Sequence, residues 1–171
     1  MGLLAILVLV AAGCGGNSDK KANEEYANSV CTAIGSWEQQ IKSIATTFSG
    51  GVSAANLQSK VTQAQTATTT LMTQIKSVSA PDTEEGKAAK QQLDQLTTDI
   101  NTATSSAKTV LSQLPPNPSM TVIASTVAVI GPQVQSLATQ TKSAISALQD
   151  AGGSLSSAFK DADACQSLGG S

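Results

Sequence analysis

Residues 82–118 read DTEEGKAAKQQLDQLTTDINTATSSAKTVLSQLPPNP, and this stretch decides the fold. Its apolar side chains fall at Ala89, Leu93, Leu96, Ile100, Ala103, Ala107, Val110 and Leu114, in alternating steps of four and three. Residues so spaced share one face of a helix, whereas a half-buried strand needs a step of two. Both ends are marked. Asp82 followed by Glu85 has the spacing of a capping box, which supplies acceptors to the first free amides of a helix. Pro115, Pro116 and Pro118 stop it, because proline lacks the amide donor and crowds the preceding turn.

Three further seams of the same kind flank this one. Before it lie Val30, Ile34, Trp37, Ile41, Ile44 and Phe48, with Tyr26 one turn earlier, and then Leu57, Val61, Ala64, Thr68, Leu71, Ile75 and Val78. After it come Met120, Ile123, Val127, Ile130, Val134, Leu137, Thr141, Ala144 and Leu148. Ser49-Gly50-Gly51, Ser79-Ala80-Pro81 and the proline cluster are short links, and short links between long helices make antiparallel neighbours. The expectation is an all-α, antiparallel up-down-up-down four-helix bundle. A short C-terminal helix, Leu155 to Leu168, follows it. Gly131 and Pro132 interrupt the fourth seam without shifting its register, which predicts one kinked helix. A three-helix bundle with a broken fourth arm is the alternative.

Composition excludes much chemistry. The chain has 171 residues, 10 lysines with no arginine, 12 carboxylates and no histidine, for a net charge of -2. No histidine ligand or general base exists, and no basic field is present for nucleic acid. Aromatic residues are 2% of the chain, so Trp37, the single tryptophan, reads as a core anchor on the first seam. Glu24-Glu25 and Glu84-Glu85 sit near helix starts, where negative charge offsets the helix dipole. Asp94 and Asp99 do not share a face, and Asp161 and Asp163 have no calcium loop around them. No catalytic residue, metal site or cofactor is expected. Many seam positions are Ala or Thr, so the core is light, and close-approaching helices leave little room for a cavity.

The N-terminus is a processing signal. Residues 3–12, LLAILVLVAA, form an apolar run too short to span a bilayer and of the length of a signal-peptide core. Ala11, Ala12, Gly13 and Cys14 follow. This resembles the lipobox of bacterial lipoproteins. The resemblance implies cleavage after Gly13 and a diacylglyceryl thioether on Cys14. Residues 1–13 are then a lipoprotein signal peptide, 14–23 the acylated cysteine with a flexible polar tether, and 24–171 the bundle domain. An ordinary secreted protein cut after one of the alanines is the competing reading, and a buried N-terminal helix is a third.

Two cysteines remain. Cys31 lies one turn into the first helix and Cys165 near the C-terminus, at the same end of an up-down bundle, so a disulfide follows from topology and from counting. Two free thiols are the alternative. The light composition, the lipobox and the distant cysteine pair together resemble small secreted helical lipoproteins of actinobacteria of unknown function. The expected function is a non-enzymatic binding or spacer role at the extracytoplasmic face of the cell membrane. Its contacts are the membrane through Cys14 and an envelope protein partner. The second reading is a carrier or sensor with a small-molecule pocket between helices near Gly131-Pro132.

Overall fold

The computed structural model describes residues 16–46, 54–115 and 118–169. Residues 1–13, read above as a signal peptide, and Cys14 lie outside these residues, as do Phe48, the Ser49-Gly50-Gly51 link and Pro116. Six helices follow in order: α1 (Gly16–Thr46), α2 (Ala54–Ser77), α3 (Glu84–Ser112), α4 (Met120–Asp150), α5 (Gly153–Asp161) and α6 (Asp163–Gly169). No strand occurs among the described residues. The four seams are helices α1 to α4, and the fold is the expected all-α bundle.

The order of packing around the bundle differs from a closed square. Helix α1 packs on α2, α2 on α3, and α3 on α4. Between α4 and α1 the chain inserts α5 and α6, each of which touches both long helices. The C-terminal segment is thus a wedge in the core rather than an appendage. Phe159 and Cys165 are fully buried, and Leu155, Ala158 and Leu168 nearly so. The segment splits in two because Ala162 leaves helical geometry at ψ 119, which turns α6 back over α1. Gly152 and Gly153 make the preceding turn at positive φ, a region that side chains with a Cβ rarely adopt.

Cys31 and Cys165 are bonded, with their Cα atoms 5.0 Å apart and 134 residues between them in sequence. The bond ties α6 to α1 inside the core. Below it, the Tyr26 ring meets Phe159 edge-on, with centroids 6.0 Å apart. Burial, and then the charge of Asp94, push the Tyr26 phenol up to about 12, so this ring stays neutral through the physiological range.

Two expectations are corrected here. Residues 15–23 do not form a flexible tether throughout, because α1 already begins at Gly16. Lys20 pairs with Glu24 at 3.7 Å and Lys21 with Glu25 at 3.5 Å, one turn apart on that helix. Asn23 is buried and donates to Ser154 Oγ of α5 at 2.9 Å, so a long-range contact holds the segment helical. The capping box at Asp82 and Glu85 is also replaced. The cap of α3 is Thr83, whose hydroxyl accepts from the Gly86 amide at 3.0 Å. Glu85 instead accepts the Leu155 amide at 3.2 Å, so it caps α5 across the bundle. Asp82 is exposed and lies 3.7 Å from Lys87.

Candidate functional site

The wedge fills only half of the gap between α1 and α4. Its contacts on α1 run from Asn23 through Ala27 and Cys31 to Gly35, where Leu168 packs. Above Gly35, among the described residues, neither α5 nor α6 lines the space between α1 and α4, and several of the seam residues there are alanines. The result is a cavity of about 280 Å³ at the end of the bundle away from the start of α1. The light seam therefore leaves room rather than removing it. Ala64, Ala103 and Ala107 cannot reach across the width that the wedge sets, so close approach of all four helices is lost.

The cavity is visible in the burial pattern of the seams. In the lower half, Val30, Ile34, Leu71, Leu93 and Ile100 are fully buried or nearly so. Around the cavity, Ile41, Val61, Ala64, Ala103, Val127 and Ile130 keep the same seam register yet are only half-buried, while Ile44, Leu57 and Leu137 of the lining are buried. They form an apolar wall without a filling.

Trp37 is buried, at 3% exposure, and anchors the floor. Its indole donates to Thr68 Oγ1 at 3.3 Å, and the Thr68 hydroxyl shares a 3.3 Å bond with Thr104. Thr104 in turn donates to the Ile100 carbonyl at 2.8 Å. This chain satisfies the polar groups that three helices bring to the floor, as buried polar groups require. Thr68 on the second seam, with Thr104 beside the third, is thus a structural partner of the tryptophan, while the seam residue Thr141 donates to the Leu137 carbonyl of its own helix at 2.8 Å.

The fourth wall is α4. The helix is continuous through Pro132, as the unbroken seam predicts. Gly131 lines the cavity while Pro132 and Ala128 lie on the exposed side. Proline deprives the Ala128 carbonyl of its helical donor, and water can serve it there. Replacing Pro132 with Ala supplies the missing donor and relieves the crowding. We expect a gain of about 1 to 3 kcal/mol in chemical denaturation. A loss of stability would mean that packing of α4 against α3 depends on the proline.

Polar groups are few. Lys60 of α2, Gln133 and Gln135 of α4 and Thr104 of α3 are those in the lining, and Lys60 is its one charged residue. Gln133 Oε1 is buried and has no partner. Sequence reasoning singled out neither Lys60 nor Gln133. Both sit next to seam positions rather than on them, and only the gap between α1 and α4 brings them to one space. Elsewhere, Asp94 pairs with Lys90 at 3.0 Å and Asp99 accepts from Gln95 at 2.8 Å. Among the described residues no three potential ligand groups are placed to hold a metal ion.

Fold and site together define a disulfide-tied helical bundle with one apolar cavity wall on each long helix. Compared with known protein families, curated proteins and solved structures, the chain matches none.

Proposed function

We propose that this protein is a lipid-anchored, non-enzymatic binding protein of the extracytoplasmic face of a bacterial membrane, and that its bundle holds a small apolar ligand. The observation that carries the reading is the cavity between the four long helices. Its volume is close to the lower end of small-molecule sites, roughly 300 Å³ and upward. It is built as such sites are, mostly from apolar side chains with a few polar groups. Each methylene transferred from water into such a wall contributes about 0.8 kcal/mol.

The rest is consistent with the envelope. The lipobox supports acylation at Cys14. A buried disulfide suits a compartment in which disulfides persist. With Trp37 21 residues beyond Gly16, the cavity stands about 30 Å along α1 from the anchored end. A ligand held there is lifted out of the bilayer surface, as a carrier or sensor needs. The cavity also separates this reading from a pure spacer, which gains nothing from an unfilled core.

Filling the space is the test. Ala64→Leu adds three carbons at the α2 wall. The variant should be more stable by about 0.5 to 2 kcal/mol, the usual gain of cavity filling. It should also lose binding of a simple alkyl probe such as dodecanol. A variant that is destabilised and still binds the alcohol would count against the cavity as the site.

A further inference from the structure

The distribution of charge says what kind of ligand the cavity takes. All twelve carboxylates fall within residues 19–38, 82–99 and 150–163. The intervening stretches, 39–81 and 100–149, contain five lysines and not one Asp or Glu. Mapped on the helices, the cavity end consists of α1 beyond Glu38, the first half of α2, α3 beyond Asp99 and the first half of α4. Its charged residues are Lys42, Lys60 and Lys108. An acidic protein thus has one end at which, beyond Glu38, every charged residue is a lysine, and that end holds the cavity.

The three lysines are not equivalent. Lys42 lies 3.4 Å from the buried carboxylate of Glu38 and is neutralised by it. Lys108 is exposed and does not line the cavity. Lys60 is half-buried at the cavity wall, and no carboxylate of the described residues pairs with it. Its ammonium donates at 3.2 Å to Oε1 of Gln63, an exposed residue outside the lining, so the charge sits on the solvent side of the wall with two of its three donors unused. Across the cavity, the Gln133 amide has a buried oxygen without a partner. A half-turn of that amide presents its N–H groups to an acceptor instead, since which end points inward follows the partner it finds.

From these observations, and resting on the binding role proposed above, we infer that the ligand is a single-chain amphiphile with an anionic head. The alkyl chain occupies the apolar cavity over Trp37. The head, a carboxylate or a phosphate monoester, takes the two free donors of Lys60 and the amide of Gln133. A neutral lipid leaves Lys60 without a counter-charge, and a cationic one meets a lining whose one charged residue is a lysine, the nearby Glu38 being paired with Lys42.

Four probes of one chain length separate head from chain: dodecanoate, dodecyl phosphate, dodecanol and dodecyltrimethylammonium, each titrated below its micelle threshold into the full-length protein. Trp37 fluorescence reports binding. At low salt the two anions should bind about tenfold more tightly than the alcohol, as a charge-assisted hydrogen bond implies, and the ammonium most weakly. The tighter of the two anions tells a fatty-acid source from a lysolipid one. Added salt should weaken the anions and leave the alcohol unchanged. Lys60→Gln should erase the anion preference while dodecanol binding stays within about twofold, and Lys60→Arg should restore it. An anion preference that survives Lys60→Gln, or an alcohol that outcompetes both anions, overturns the head assignment and leaves the cavity reading in place. Failure of all four probes to bind overturns the cavity reading itself.

Discussion

Reduction of the Cys31–Cys165 bond, or replacement of both cysteines by alanine, is expected to lower the stability of the fold by about 4 to 5 kcal/mol on the loop-entropy account. The bond closes a loop of 134 residues, nearly the whole described chain. A domain of this size has roughly 5 to 15 kcal/mol in all. Its loss also frees α6, the upper part of the wedge, from α1. Urea denaturation with and without reductant, followed by Trp37 fluorescence and by helical circular dichroism, measures the effect. A midpoint that reductant does not move would show that burial alone holds α6.

Phe159→Ala should cost about 3 to 5 kcal/mol, the range for a fully buried phenylalanine. Phe159 has no exposed surface and fills the space between α1 and α4. It gives Tyr26 its aromatic partner, and Gln149 of α4 donates to its backbone carbonyl at 3.3 Å. Without the ring the wedge has no large side chain at its centre, so α1 and α4 lose what fixes their separation. The cavity should widen and the alkyl probes should bind less tightly. Thermal denaturation and the probe titration read the two effects separately. A Phe159→Leu variant with most of the volume restored should recover both in part.

How much of this was legible in the sequence depends on which contacts are local. The four seams place Leu93, Ile100, Leu71 and Ile34 in the core because helical period alone decides which face is apolar. The Cys31–Cys165 pair was legible because up-down topology brings both cysteines to one end of the bundle and they are the two left once Cys14 is set aside. The continuous helix through Pro132 followed from an unbroken register. The capping of α5 by Glu85 was not legible, since a side chain 70 residues away supplies it and the local spacing with Asp82 mimics a capping box. Nor was the helical start at Gly16, which leans on Asn23 meeting Ser154. The cavity was hidden for a related reason. A seam of Ala and Thr reads as close approach only when nothing wider stands between the helices, and the ring of Phe159 stands there. Periodicity says which residues face inward and not how far apart the facing walls are.

In the proposed complex an alkyl chain lies in the cavity over Trp37. Because this is the single tryptophan, a bound chain has one reporter and its position is fixed. Dodecanoate brominated near its chain end quenches indole fluorescence on contact. Titrated into the full-length protein, it should quench Trp37 with a saturable, one-to-one dependence, and Ala64→Leu should abolish the quenching. Calorimetric saturation by the same probe with Trp37 emission unchanged would place the chain elsewhere on the molecule and contradict the account.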